Sequence, residues 1–578
     1  MKKNTKTKII QIIALFVMSG MLLVLMSACT ASEEPSTSEP PEAEIQETAP
    51  PFSEQETEPE PESQILRFGV TGLSGMFNPI MAFDINDLYV TSLIFEPLIT
   101  TSHDGTAIPH LANWTISNNN LTYIFTLKEG ITFSDGTPMT SSDVAFTFLT
   151  MCHPDYSGPR SYAVSSLLGY TEFKSGAIDE LPGIVIIDER TIAFHILEGM
   201  ENAANIWNFA YGIMPMHIYA FETWDEFITK LDAPVGSGKF ILDEWKPGES
   251  ISLLRNDNYW SASEIPLLEA VFMPIISEDD LYSAIQNNEI DMAKPRATPD
   301  NYYLFSSLTN ADLRIIPRNS YKFLQFNTLR LQLNDVRVRQ ALIYALDRQT
   351  YIYSQMGSLG SLGMAPISPS SWAFPNFGLN SYLFDIAKAN ALMQEAGWFP
   401  GDDGILTRDG IRMELEWLVY TDTDWPAILA AFAKDSWRQI GVELTVTAMS
   451  FEELNARTFG AEPNDIDFDV FAMGFIFAND PDPTGGLFDH DAFITGGFNV
   501  SGYYNTRAQE LIALGRNTFN QTERAAIYHE WAKIMNESIP TVIIAYRSNI
   551  WVTSNRVEGM FIGPYWEWWR NISTITLN

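Results

Sequence analysis

Two hydrophobic rhythms alternate along the chain. From Ile65 onward, short stretches with every second residue apolar are interleaved with longer ones whose apolar residues recur every three or four. That is the pattern of a mixed α and β protein. Tyr123, Phe125 and Leu127 alternate with Thr122, Ile124, Thr126 and Lys128. Glu129-Gly130 then turns the chain, and Ile131 and Phe133 run on to Asp135-Gly136, which predicts a hairpin over 122–133. Thr140 or Ser141 caps a helix carrying Val144, Ala145 and Phe148 on one side. Asn334-Asp335 opens another, with Val338, Leu342, Ala345 and Leu346 on one stripe and Asp335 spaced to pair with Arg339. Asp385 begins a third, with Ile386, Ala389, Met393 and Ala396 inward and Gly397 just past its end. Thr522 caps a fourth that bears Ile527, Trp531 and Ile534, with Pro540 beyond it. No supersecondary unit repeats along the chain, which argues against a solenoid or propeller.

The first residues follow a different pattern. Lys2, Lys3, Lys6 and Lys8 precede an apolar run from Ile9 to Met26, and Ser27-Ala28-Cys29 follows. This reads as a secretory signal. Its Ser-Ala-Cys end resembles the lipobox of bacterial lipoproteins, which implies a signal over 1–28 and an acylated Cys29. Residues 30–65 hold eleven Glu, seven Pro and no Lys or Arg. Such a segment buries too little apolar surface to offset its ordering entropy, so 29–65 is expected to be a disordered tether.

Length and charge narrow the function. At 578 residues the chain can bury several cores. Its net charge of −37 comes from 35 Lys and Arg against 72 Asp and Glu. Removing the basic signal and the acidic tether leaves −30 on residues 66–578. A surface this acidic repels phosphate backbones, so no nucleic-acid partner is expected. The two cysteines, Cys29 and Cys152, cannot form a disulfide framework or a CxxC zinc site.

A search for catalytic chemistry returns little. There is no GxxxxGK[ST], no GxGxxG after a strand, no HExxH and no GxSxG. Asp489-His490-Asp491 is the one run resembling metal ligands, but neighbours in an extended segment face opposite ways, so a solvated loop is the expectation. Cys152-His153 is adjacent in sequence and therefore poorly placed to converge; Cys152 is expected to be buried and inert. Neither an enzyme, a cofactor nor a metal is expected.

A series of short strings carries a resemblance. Glu96-Pro97-Leu98, Pro109-His110-Leu111-Ala112-Asn113-Trp114, Phe133-Ser134-Asp135-Gly136-Thr137-Pro138 and Asp143-Val144 come first. Pro234-Val235-Gly236-Ser237-Gly238-Lys239-Phe240, Arg255-Asn256-Asp257-Asn258-Tyr259-Trp260 and Val336-Arg337-Val338-Arg339-Gln340-Ala341-Leu342 follow. Ala391-Leu392-Met393-Gln394-Glu395-Ala396-Gly397-Trp398 and Asp480-Pro481-Asp482-Pro483 complete them. In this order they resemble the family 5 extracellular solute-binding proteins, the oligopeptide- and dipeptide-binding components of ABC importers. Most of the strings also read as structural: Asp135-Gly136 as a turn, Trp260 and Trp398 as packing, Arg337 and Arg339 as local caps or pairs.

The resemblance implies an α/β, two-lobed periplasmic-binding-protein-like fold (type II, cluster C) with an inserted subdomain. Lobe one would comprise 66–95, 220–325 and 533–578, the subdomain 96–219 and lobe two 326–532. A ligand touching both lobes would favour their closure. The implied partners are an oligopeptide or other small solute, the permease subunits of an ABC importer and the membrane through Cys29, with the protein a monomer. The candidate ligand-binding set is Phe83, Asp84, Trp372, Phe475, Asn479, Asp480, Asp482 and Tyr503. In peptide-binding relatives an aspartate just before the Asp-Pro string holds the peptide ammonium; that place falls on Asn479 or, one residue on, Asp480. Asp480→Asn is therefore expected to weaken peptide binding while leaving the ligand-free protein as stable as before. A glycan, opine or nickel-chelate ligand, or a sensor role toward a signalling partner, are the alternatives.

Overall fold

A computed structural model describes residues 64–578 apart from Ala233, Ala262, Ser263, Glu264, Ile276 and Gly496. The expected signal, acylated Cys29 and nearly all of the tether lie outside these residues. The first strand already includes Ile65, the last residue assigned to the tether.

The strands that organise the fold are, in chain order, β1 (Ile65–Val70), β2 (Ala112–Ile116), β3 (Thr122–Leu127), β4 (Ile184–Ile186) and β5 (Thr191–His195). Next come β6 (Phe240–Lys246), β7 (Ser250–Arg255), β8 (Glu269–Pro274), β9 (Met292–Ala293) and β10 (Ala311–Phe326). The last four are β11 (Glu414–Tyr420), β12 (Glu443–Met449), β13 (Val470–Ile476) and β14 (Thr541–Ser554). One sheet runs β12-β11-β13-β10-β14-β9-β1-β8-β7-β6, with Gly360–Leu362 pairing β14 beside it. The inserted subdomain has its own four-stranded sheet, β2-β3-β5-β4.

The long strands β10 and β14 belong to both halves of the main sheet. Residues 311–318 of β10 pair antiparallel with 547–554 of β14, and residues 321–325 pair with 541–546. The register slips between Arg318 and Tyr321. On one side of that slip β9 joins β14 at Val552 and Thr553; on the other, β13 joins β10 from Ser320 to Phe326. A bulge bends and twists a ribbon locally, and this one falls between the strands that join the two halves of the sheet. Separate cores lie on either side. Phe68, Tyr89, Phe272, Trp551 and Trp568 pack in lobe one, whereas Leu324, Trp398, Trp417 and Trp437 pack in lobe two.

The sequence expectations meet the structure unevenly. β3 forms as the alternation predicts, but its partners are β2 and β5; Thr132 makes only an isolated bridge to Pro138, so the expected hairpin over 122–133 does not form. The helix of residues 141–152 starts behind Thr140, whose side chain and Asp143 form a reciprocal capping box. Asp335 caps the helix Val336–Tyr344, yet it pairs with Arg337 at 2.6 Å and not with Arg339. Arg339 is buried and donates instead to the carbonyls of Leu333, Asn334, Ser538 and Ile539. Asp385 caps Ile386–Glu395 as expected, and Gly397 sits at φ +83°. The helix Gln521–Ser538 is capped by Asn520, two residues before the expected Thr522.

Candidate functional site

Several of the strings that carry the resemblance meet in space around one carboxylate. Glu96 is buried; His110 Nε2 lies 3.0 Å from its Oε1, Tyr259 donates to Oε1 at 2.7 Å and Trp260 to Oε2 at 2.6 Å. Burial pushes this carboxyl up, but His110 and the two hydroxyl and indole donors outweigh it and hold the group below its ordinary value. Gly236 and Gly238 serve packing as well. A Cβ on Gly236 would lie 2.1 Å from the Ile94 carbonyl oxygen, and the Gly238 N–H donates to that same oxygen at 2.7 Å. These strings build lobe one and its junction with the subdomain.

A cavity lies elsewhere, where β13 runs out. It has a volume of about 320 Å³ and is lined by Tyr321, Ser368, Phe475, Asp480, Asp482, Trp531 and Tyr565 among others. Tyr321 follows the bulge of β10, and Phe475 lies at the end of β13, their rings 5.7 Å apart. Tyr565 comes from the C-terminal segment after β14. The β13 ladder is incomplete here: its pairing with β11 stops at Phe471, while its pairing with β10 continues to Ile476. Among the described residues, one backbone edge of 472–476 is therefore unpaired next to the cavity, and Ile476 stands 66 % exposed. Gly474 has only the Tyr321 carbonyl oxygen near the place of its missing Cβ, at 3.8 Å, so a second backbone can come close.

Of the candidate residues, Trp372, Phe475, Asp480 and Asp482 are brought together. Asp480 accepts two bonds from Arg524, at 2.6 and 2.8 Å, and one from the Asp482 N–H at 2.9 Å. The Arg524 guanidinium lies 5.8 Å from the Trp372 ring and 5.1 Å from that of Tyr528. Burial pushes the Asp480 carboxyl up while Arg524 opposes it. Both oxygens of Asp480 thus face a guanidinium, which argues against the expectation that its removal leaves the free protein's stability untouched. Asp482 Oδ2 accepts from Asn202 of the subdomain at 2.6 Å, and its Oδ1 takes the Thr484 hydroxyl at 2.8 Å. Asn479 is exposed beside the cavity.

The other candidates lie apart. Asp84 caps the helix Ile85–Ile94 by accepting from the Asn86 N–H, and Phe83 precedes it, 58 % exposed. Tyr503 is buried in the lobe-two core, in the neighbourhood of Arg339, and does not line the cavity. Arg524, Asn202 and Tyr565 escaped the sequence reading. Each comes from a distant segment with no motif around it, and only the fold brings it to the site.

Further contacts bridge lobe two to the rest. Arg516 donates to the carbonyls of Glu201 at 3.1 Å and Gly199 at 3.3 Å, and Gln521 to the Thr106 hydroxyl at 2.7 Å. Asn319 donates to the Pro564 carbonyl and accepts from Ser368, both at 2.8 Å. The lobes are in contact across the cleft.

Asp489 departs from the expected solvated loop: it is buried and accepts from the Gly485 and Asp491 N–H groups. Among the described residues no group of three or more His, Cys, Asp or Glu is placed to hold a metal. No described helix is long and apolar enough to cross a membrane. Cys152 is buried, and burial pushes its thiol up to about 12.

Comparison with known proteins agrees with this architecture. The oligopeptide-binding protein AppA of Bacillus subtilis (strain 168) is 25% identical over 97% of this chain and 97% of its own. The nickel-binding periplasmic protein of Escherichia coli (strain K12) is 24% identical over 85% of this chain and 90% of its own. Among solved structures, the ABC transporter substrate-binding protein CtaP of Listeria monocytogenes superposes with a TM-score of 0.72 at 25% identity, covering 89% of this chain and 99% of that one. Residues 106–492 match the family described as bacterial extracellular solute-binding proteins, family 5 Middle. With the two-lobed sheet and the cleft already in place, that match means that the chain belongs to the family 5 bacterial extracellular solute-binding proteins.

Proposed function

We propose that this protein captures peptides between its lobes and presents them to the permease of an ABC importer, held at the membrane by an acylated Cys29. The observation that carries the reading is the unpaired edge of residues 472–476 beside the cavity. An exposed sheet edge offers alternating N–H and C=O groups, and an extended peptide satisfies them as an added strand. Phe475 and Tyr321 supply apolar walls for side chains. Backbone pairing of this kind is indifferent to sequence, which suits an importer of mixed peptides.

With Asp480 occupied by Arg524, the peptide is read through its backbone more than its free amino terminus. Gently purified protein is expected to retain peptides detectable by mass spectrometry. Titration of stripped protein should give similar affinities for a peptide and its N-acetylated form. Absence of peptide in the retained fraction, together with no binding of either form, would sink the reading. The anchor is tested separately: Cys29→Ser should move the protein from the membrane pellet to the soluble fraction after a high-salt wash.

A further inference from the structure

A second cavity, of about 480 Å³, lies wholly within lobe one and the subdomain and takes no lining residue from 326–532. Its apolar lining includes Leu88 of the helix Ile85–Ile94 together with Trp566 and Trp569. Its lining carries three cations, Arg160, Lys239 and Arg570. The one carboxylate in the lining is Glu96, and both of its oxygens are already engaged by His110, Tyr259 and Trp260.

Arg160 donates to the Ala82 carbonyl at 2.8 Å and lies over the Tyr211 ring, but Lys239 and Arg570 are less well served. The bonds that Lys239 and Arg570 make are to the carbonyls of Arg570 and Thr101, each at 3.4 Å. Buried Nε atoms of Arg160 and Arg570, and the indole Nε1 of Trp566, have no hydrogen-bond partner. Burial lowers both the Lys239 ammonium and the Arg570 guanidinium from their ordinary values, and the nearby carboxylates Glu96 and Glu567 only partly oppose it. Buried donors without acceptors are uncommon in native proteins, and three of them belong to side chains that line this cavity. In a chain with so large an excess of acid, this concentration of cations is not a by-product of composition.

We propose that this cavity is a second binding site, separate from the peptide cleft, for a small organic carboxylate with a planar apolar body. The carboxylate would sit between Lys239 and Arg570 in charge-assisted hydrogen bonds, and the ring would lie against Trp566 and Trp569. All of its contacts are within lobe one and the subdomain, so occupancy does not depend on closure over a peptide.

The test is calorimetric titration of the full chain with benzoate, acetate and inorganic phosphate. Benzoate is expected to saturate the wild type at millimolar concentrations, more tightly than acetate. In Lys239→Met and in Arg570→Gln its affinity should fall at least about tenfold, the loss expected for a hydrogen bond to a charged group. Thermal unfolding identifies a variant that fails to fold, in which case the other carries the test. Peptide titration of the same variants should be unchanged. No saturable benzoate binding, or equal binding by folded variants, overturns the site. Preference for phosphate overturns the carboxylate assignment. Parallel loss of peptide and benzoate binding overturns the separation from the cleft, and loss of peptide binding with benzoate binding intact overturns the site.

Discussion

Asp480 and Arg524 show what a single residue's setting does to its role. Their two-pronged ion pair is nearly closed to water, with side-chain exposures of 10% and 4%. Removing one partner from a buried pair strands the other charge, so Asp480→Asn is expected to cost about 3–5 kcal/mol of unfolding free energy in the ligand-free protein. Replacing both, as Asp480→Leu with Arg524→Met, should recover most of that loss; chemical denaturation of the three proteins measures it. If the single variant is as stable as wild type, the pair is not ionic in solution. Lys322 is the contrary case, a buried cation without an acid. Its ammonium lies over the Trp425 ring at 4.4 Å, and burial, aided by Arg547, lowers its pKa to about 7. In the unfolded chain the lysine keeps its proton up to about pH 10.4, so between about pH 7 and 10 the unfolded state binds more protons. This residue's penalty on stability is therefore full below pH 7 and fades as the pH rises. Lys322→Met should stabilise the protein by a few kcal/mol at pH 6 and progressively less toward pH 10, read from denaturation midpoints across that range. A pH-independent difference would show that Lys322 stays protonated. Neither setting was legible in the sequence, where Asp480 looked like a free anchor. Arg524 sits on a helix well downstream, and nothing local announces the pairing.

At the scale of elements, what the sequence made legible was local and what it hid was choice of partner. The alternation over 122–127 was enough to specify a strand, because side chains on a strand face alternate sides whatever lies beside it. It could not specify β2 and β5 over the following segment, since pairing is decided by the whole sheet. Helix starts at Thr140, Asp335 and Asp385 were readable from the side chains that close the first turn. The start at Asn520 was displaced because Asn520, Gln521 and Thr522 offer competing polar side chains within one turn. The glycine string was readable as a family mark but not as a mechanism, which is steric. Gly238 lies where a Cβ would sit 2.2 Å from the Leu93 carbonyl oxygen, at the end of the helix Ile85–Ile94. That contact is with backbone and cannot be relieved by a rotamer change. Gly238→Ala should therefore destabilise lobe one by more than about 2 kcal/mol, at the upper end of ordinary substitutions. A melting temperature unchanged from wild type would mean that the helix end shifts freely.

For the molecule as a whole, two lobes and an inserted subdomain were legible from the order of the strings, while the contacts that hold them together were not. Asn202 reaching Asp482 and Arg516 reaching Glu201 and Gly199 are interactions between distant segments with no shared pattern. Bonds made across the lobes favour the arrangement in which they form over a more open one. Asn202→Ala removes one such bond, worth about 1 kcal/mol. It should weaken peptide affinity about fivefold and raise the radius of gyration of the ligand-free protein in small-angle scattering. An unchanged scattering profile and affinity would place the balance elsewhere. The two long strands have a further consequence, for folding. Because β10 and β14 are shared, neither lobe can be cut out intact. A fragment of residues 326–532 would keep β11, β12 and β13 but expose the whole edge of β13 that β10 now covers. Such an edge invites pairing with other chains, so the isolated fragment is expected to aggregate, and the intact protein to melt in one transition through this common ladder.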